Sequence, residues 1–364
     1  MKSKIILFMP SIEGGGVEKN FFLISNFLIK RKKNVTVITI SKKYRNKFNK
    51  KIKFVSPRFN FWDKLSRRGK FILGLLFLTR EILINKNSIV LSFQANVYCG
   101  ILSKFLRFRL IIRSNSAPDG WSKNFIKQKF YKFGLSNAKK IIVNSQEFKK
   151  KIKNKFKLNS ECIYNPLNKI EIIRLSKRKV NFSFFKKDFL NIINVGRLEE
   201  QKDHHNLIKA VNFIKNKIDI KLLIIGNGKL QKKLDQFIEV NKLERNIKIL
   251  NNISNPYPYI LKSDLFILSS IYEGLPNVLL EAITLNKFVI STNCPTGPKE
   301  ILSCGKGGIL VPTKDYKILG NEIVKFNNNK KILTKKLKFA KREMYRFDQK
   351  KNLEKYLECI NNLD

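Results

Sequence analysis

Acidic residues are scarce in this chain: 27 Asp and Glu stand against 74 Lys and Arg over 364 residues, a formal net charge of +47. Histidine is scarcer, with His204 and His205 alone. Adjacent positions point to different faces of a helix, which argues against a histidine metal pair. No Asp-x-Asp pair occurs among the ten aspartates. The five cysteines (Cys99, Cys162, Cys294, Cys304, Cys359) contain no Cys-x-x-Cys pair, and an odd, scattered set reads as free thiols in a reducing compartment. No apolar run approaches the roughly 18 residues that would span a bilayer; the longest, Phe71 to Leu78, is stopped by Arg80 and Glu81. Met-Lys-Ser-Lys, a few apolar residues and Pro10 are expected as a first β-strand, too short for a signal peptide. Internal repeats and low-complexity tails are missing as well.

What is present suits a soluble globular protein of two domains, since 364 residues exceed one ordinary core. The basic excess is uneven: residues 1–180 hold 42 Lys and Arg against 8 acids, a balance of +34, and residues 181–364 a balance of +13. A polybasic surface attracts anionic lipid headgroups by roughly 1 kcal/mol per nearby cation, and nucleic acid phosphate equally. The bland alternative is a composition rich in Lys, Ile, Asn and Phe throughout.

Short β-branched runs alternate with longer helical patterns, the signature of parallel α/β architecture. Strands are expected at Ile5–Met9, Val35–Ile40, Ile89–Phe93, Leu110–Arg113 and Ile141–Asn144, with a helix over Val17–Lys30. The pattern fades after Asn165-Pro166. It resumes at Ile192–Val195, Leu222–Ile225, Ile247–Leu250, Leu265–Leu268 and Phe288–Ser291, and helices follow from Asp315. The expected division is an N-terminal Rossmann-like domain over 1–170, a linker over 171–188, a second Rossmann-like domain over 189–345, and a C-terminal helix over 346–364 packing back on the first domain. Two doubly wound parallel sheets place ligand crevices at the carboxyl ends of their strands.

The candidate motifs all follow strands. Gly14-Gly15-Gly16 lies between the first strand and its helix, where glycine admits a phosphate to free helix N–H groups or makes a flexible turn. Gly196-Arg197-Leu198-Glu199-Glu200-Gln201-Lys202-Asp203 puts two cations where they could hold a diphosphate and stabilise its departure; alternatively it is an exposed basic loop with Asp203 as helix cap. Glu273 and Glu281 bracket Gly274-Leu275-Pro276-Asn277, with Glu273 in a loop, Glu281 a turn inside a helix, and free N–H groups between them for phosphate. Thr296 and Gly297, in Cys294-Pro295-Thr296-Gly297-Pro298, sit where loop backbone can contact an anion or a sugar.

Taken in order, G-G-G-V-E, G-R-L-x-x-x-K, I-I-G-N-G, S-x-x-E-G-L-P-N-V-L-L-E-A, C-P-T-G-P-K-E-I-L and G-I-L-V-P resemble retaining glycosyltransferase family 4, most closely members that add hexoses or N-acetylhexosamines to lipid-linked or surface glycans in bacteria. The resemblance is strong over Asn191–Pro312, moderate over 5–20 and topological between them. It implies the GT-B fold, two Rossmann-like domains facing across a cleft. It also implies that Arg197 and Lys202 bind the diphosphate and that Glu273 holds the transferred sugar, helped by the backbone N–H groups that follow it at Gly274 and Leu275, with Pro276 beside them. Glu281 would take the ribose hydroxyls, Gly226 and Gly228 would lie beside the base, and Gly15 and Gly16 would face diphosphate and acceptor. Many members carry a histidine in the first domain, and here Arg113-Ser114-Asn115 occupies the comparable place; Arg113 and Asn115 are acceptor-orienting candidates. The glycine usual after the E-A helix is Asn286, the next-best residue for a left-handed helix end.

The implied activity is retaining transfer of a hexose or N-acetylhexosamine from a nucleotide diphosphate sugar, UDP being the commonest, to a membrane-associated or polyprenyl-diphosphate-linked glycan. No cofactor or metal is expected, because cations and a helix N-terminus replace the ion that usually rests on an Asp-x-Asp pair. Between Arg58 and Ile84, aromatic, basic and apolar residues follow one another. They suit a segment in the interface of an anionic membrane, or a buried helix behind a basic loop. The expected location is therefore cytoplasmic, peripheral to the inner face of the plasma membrane, without nucleic acid. The alternatives are a GT-B sugar-nucleotide epimerase or hydrolase, and a basic nucleic-acid-binding protein, for which no recognised motif is present.

Overall fold

The computed structural model describes residues 3–13, 15–115 and 124–364, leaving aside the side chains of 330–332; Gly14 of the first glycine motif lies outside the described residues. The chain divides into two compact units, Met1–Pro166 with Phe347–Asp364, and Leu167–Arg346. Each is a parallel sheet with helices, so the expectation of two parallel-sheet α/β domains holds.

The first unit has seven strands: β1 Lys4–Phe8, β2 Val35–Ile38, β3 Lys53–Val55, β4 Ser88–Ser92, β5 Arg109–Arg113, β6 Lys140–Val143 and β7 Glu161–Cys162, in the order β3-β2-β1-β4-β5-β6-β7. Leu7 lies opposite Val37 on one side and Leu91 on the other, which makes β1 central. Its continuous apolar run is what a strand covered on both faces requires. Ile5 and Leu7 pack with Phe21 and Ile24 of the helix Gly16–Lys30 and with Leu353 and Tyr356 of the last helix, Gln349–Asn361. Ile6 and Phe8 pack on the other face with Leu78, Cys99 and Leu135, from the helices Arg67–Ile84, Asn96–Leu106 and Phe125–Ser136.

The second unit has six strands: β8 Leu190–Val195, β9 Ile220–Ile225, β10 Ile247–Leu250, β11 Leu265–Leu268, β12 Phe288–Thr292 and β13 Ile309–Val311, in the order β10-β9-β8-β11-β12-β13. One face of this sheet buries Leu207, Val211 and Ile214, the apolar stripe of the helix His204–Ile214. Asn286 adopts φ 61° after the helix Asn277–Thr284, the left-handed conformation that asparagine tolerates best after glycine.

Two differences from the sequence expectation concern short elements. Strands β3 and β7, of three and two residues, are too short to carry a period. The segment expected as linker over 171–188 begins inside the helix Lys169–Ser176. Asn168 caps that helix by accepting from Glu171 N at 3.0 Å, and Asn255 Nδ2 donates to Leu175 O at 2.9 Å, so the helix belongs to the second unit. Its Lys and Arg residues disguise a core-facing stripe that contains Ile172.

Candidate functional site

In the second unit the chain steps from β8 through β9 to β10 on one side, then crosses back to β11 on the other side of β8. The loops after β8 and β11 therefore flank the switch point, where a crevice opens at the carboxyl ends of the strands. Lys202 ends the first loop, in the 3₁₀ turn Glu200–Lys202, and Glu273 lies in the second, before the helix Asn277–Thr284. Their side chains meet: Lys202 Nζ lies 2.5 Å from Glu273 Oε1, with side-chain exposures of 15% and 8%. Ser270 Oγ donates to the same carboxylate oxygen at 2.6 Å. A nearly buried ion pair offsets its desolvation only when further hydrogen bonds are supplied, and Ser270 supplies one. The loops are also joined through backbone: Ile271 N donates to Gln201 O at 2.8 Å, Gln201 Nε2 to Tyr272 O at 2.8 Å, and Ser269 Oγ to Lys202 O at 2.8 Å.

The loop after β12 completes this cluster. Thr296, fully buried, donates from Oγ1 to Glu273 O at 2.5 Å, and Glu273 N donates to Pro295 O at 3.2 Å. Gly297 has φ +89°, and a Cβ there would sit 2.3 Å from Gly274 O; only glycine allows both that conformation and that approach. Leu275 is buried, and Pro276 stands at the N-cap of the helix that carries Glu281. Three loops thus hold one carboxylate and one ammonium at the strand ends, an acceptor for hydroxyls beside a donor for phosphate oxygens.

Glu281 is buried on its helix and accepts from Tyr257 Oη at 3.1 Å. Arg197 is half exposed and pairs with Glu199 at 3.2 Å. Gly226 and Gly228 follow β9, and a Cβ on either would lie 1.9 Å from Gly196 O or 2.3 Å from Leu198 O. Their glycine identity thus has a packing reason, the close passage of the loops after β8 and β9. His204 is buried with Nε2 3.0 Å from Asn194 Oδ1, whereas His205 packs on the Phe237 ring at 4.2 Å. The two imidazoles diverge, as adjacent helix positions must. Cys294 is buried, and burial foremost, with the Glu273 charge second, pushes its thiol up to about 12, so it is an inert thiol at neutral pH.

The remaining candidates belong to the first unit. Gly15 is the N-cap of the helix Gly16–Lys30, with φ −93°. A Cβ on Gly15 would lie 2.8 Å from Glu18 Oε2, and Glu18 Oε1 accepts from Glu13 N at 3.3 Å. The helix start thus already holds a carboxylate of the chain. Across the switch point between β1 and β4, Ser11 N donates to Gln94 Oε1 at 3.0 Å and Gln94 Nε2 returns to Ser11 O at 2.8 Å. Arg113 lies in the interior, not at the surface where an acceptor-orienting cation is expected. It is 1% exposed, donating from Nε to Tyr356 Oη at 2.7 Å and from Nη2 to Asn165 Oδ1 at 2.6 Å. It ties β5 to the last helix. Asn115 Nδ2 donates to Phe93 O at 3.0 Å.

Sequence reasoning left out Ser270, Tyr257, Gln94 and Tyr356. Ser270 had a signal, as the first letter of S-x-x-E; the other three depend on pairings remote in sequence.

With this geometry established, comparison with known proteins is informative. Residues 176–344 match the family described as glycosyl transferases group 1. This part of the chain is similar to group 1 glycosyl transferase domains. An uncharacterized glycosyltransferase of Methanocaldococcus jannaschii is 38% identical over 213 residues, 55% of this chain and 52% of the relative. The chain thus spans about half the length of that relative. Across nearly the whole chain, the Campylobacter jejuni GalNAc-alpha-(1->4)-GalNAc-alpha-(1->3)-diNAcBac-PP-undecaprenol alpha-1,4-N-acetyl-D-galactosaminyltransferase is 24% identical, covering 98% of each. Among solved structures, a glycosyltransferase from Rickettsia africae superposes with TM-score 0.80 at 18% identity over 100% of this chain and 98% of its own. Anabaena HepE in complex with UDP gives 0.77 at 18% identity over 99% and 100%. At such identities the structures speak for the fold, which is the two-domain GT-B arrangement.

Proposed function

We propose that this chain is a retaining glycosyltransferase of family 4. It moves a hexose or N-acetylhexosamine from a nucleotide diphosphate sugar, UDP foremost, to a polyprenyl-diphosphate-linked glycan at the inner face of the plasma membrane. The observation that carries the reading is the Lys202–Glu273 pair, braced by Ser270 at the switch point of a group 1 glycosyl transferase domain. The acceptor class rests on the undecaprenol-linked relative, and UDP on the HepE complex. Among the described residues no helix is long and apolar enough to cross a membrane.

In this reading an incoming diphosphate replaces Glu273 as the partner of Lys202, and the freed carboxylate accepts from sugar hydroxyls. Arg197 adds a second cation, and the backbone N–H groups of Gly274 and Leu275, with Pro276, Thr296 and Gly297, line the phosphate and sugar side. Glu281 takes the ribose diol, and Gly226 and Gly228 flank the base. Of the first unit's candidates, Gly15 and Gly16 are assigned to the diphosphate and Asn115 to the acceptor. The bond between the anomeric carbon and the diphosphate oxygen breaks while the acceptor oxygen attacks the same face. The acceptor proton passes to the departing diphosphate, whose charge Lys202 and Arg197 stabilise. The chain's own cations fill the place of a metal in this scheme.

The test is turnover of a panel of UDP- and GDP-sugars by the purified chain, with EDTA, with and without a polyprenyl-diphosphate-glycan extract. Acceptor-dependent transfer that survives EDTA and fails in Lys202→Ala and Glu281→Ala is expected. Donor consumption without acceptor dependence would instead identify an epimerase or hydrolase, and absence of any sugar-nucleotide binding would refute the proposal.

A further inference from the structure

Among the described residues, every exposed large hydrophobic side chain of the first unit falls between Phe59 and Phe133. The helices Gly16–Lys30, Gln146–Phe156 and Gln349–Asn361 carry none. The exposed ones sit on three helices that cover one face of the sheet and neighbour each other, Arg67–Ile84, Asn96–Leu106 and Phe125–Ser136, and on the aromatic loop before them. On the first helix the core is met by Gly74, Leu78 and Ile82. A second stripe, Ile72, Leu76 and Leu83, faces outward at 57–65% exposure. On the third helix Ile126, Phe130 and Phe133, at i, i+4 and i+7, form another outward stripe, 41–75% exposed. Phe105, 74% exposed, projects from the helix between them. A helix apolar on two faces has a second apolar environment to meet.

The charge on this face is of one sign. Residues 58–84, 96–107 and 124–136 hold eleven Lys and Arg against two acids, Asp63 and Glu81. Glu81 is buried and bonded to Lys4 and Lys53. Lys104 and Lys129 place their ammonium groups 4.7 Å and 4.6 Å from the centroids of the Phe133 and Phe125 rings, so cations and aromatic rings share one level, as in a membrane interface. A nucleic acid would use the cations but has no use for aliphatic stripes such as Ile72-Leu76-Leu83.

We propose that the outer face of these three helices is a docking surface for an anionic lipid bilayer, with the Ile72 and Ile126 stripes and Phe105 entering the headgroup boundary and the surrounding Lys and Arg meeting lipid phosphates. The inference deepens the membrane-linked acceptor reading, on which its biological sense rests, and extends the interface well beyond residues 58–84. It is tested by co-flotation of the full chain with phosphatidylcholine vesicles, and with vesicles containing about one third phosphatidylglycerol. Binding is expected only to the anionic vesicles. It should fall at least about tenfold in Ile126→Ser/Phe133→Ser and in a separate Phe105→Ser variant, and stay unchanged in Ile170→Ser, an equally exposed position in the second unit. All four substitutions are at surface positions, and the two test variants lie on different helices, so one failing to fold leaves the other informative. Undiminished binding by both test variants, or equal binding to neutral vesicles, would overturn the proposal. So would a dimer in sedimentation that these variants dissociate, which would make the occupant a second copy. No sugar donor or acceptor enters this assay, so loss of the transferase reading and loss of the membrane face are separately visible.

Discussion

His204 sits behind Lys202 and makes the stability of the second unit depend on pH in a way that can be worked out. Asn194 Nδ2 donates to Ile267 O at 2.8 Å, so Asn194 Oδ1 must accept from His204 Nε2, which fixes the neutral tautomer. Burial foremost, and then the Lys202 charge, hold the imidazole pKa at about 4 against a reference of 6.5. The folded state therefore binds its proton later than the unfolded chain as pH falls. Between pH 6.5 and 4 the unfolded state carries the extra proton, so the stabilisation is complete above 6.5 and is lost on the way down to 4. Linkage with these two values gives a loss of about 2 kcal/mol between pH 7 and pH 5, and about 3 kcal/mol in all. Urea unfolding of the chain and of His204→Gln at both pH values isolates this contribution, because carboxylates titrate alike in the two proteins. The wild type should lose about 2 kcal/mol more than the variant on going from pH 7 to pH 5. An identical loss in both proteins would refute the reasoning.

Further outcomes follow from single contacts. Ser270→Ala removes a hydrogen bond to the Glu273 carboxylate, a contribution of about 1.5–3 kcal/mol, and should lower kcat/KM for sugar transfer about tenfold or more, with partial rescue by Ser270→Thr in the same steady-state assay. Gly228→Ala forces a methyl group against Leu198 O, 2.3 Å from the Cβ position, and should cost about 1–3 kcal/mol in thermal or urea unfolding. Tyr356→Phe leaves Arg113 Nε buried without its partner at 2.7 Å and should cost about 2 kcal/mol; an unchanged urea midpoint would show that the last helix is held by packing alone.

Much of this protein was legible in one dimension. Strand and helix patterns belong to local backbone geometry, so short, almost wholly apolar runs such as Ile192–Val195 and Leu265–Leu268 announce buried parallel strands. Placing Lys202, Glu273 and Thr296 in loops after strands, and Glu281 a turn inside the helix that follows, needed nothing more. The helix Lys169–Ser176 was missed because eight residues are too few to show a helical period and two of its isoleucines, Ile170 and Ile173, face outward, and the outward stripe of Phe125–Ser136 because a helical period reports an apolar face without saying which way it turns. Tertiary structure alone decided the rest. Lys202 and Glu273 are 71 positions apart, and Arg113 and Tyr356 are 243 apart. Which loops meet depends on strand order, and strand order is settled by the packing of whole layers, not by any local preference of the residues that end up in contact. The same global packing pointed Arg113 inward and left the Ile126 stripe outside, although a basic residue and an isoleucine read alone suggest the reverse.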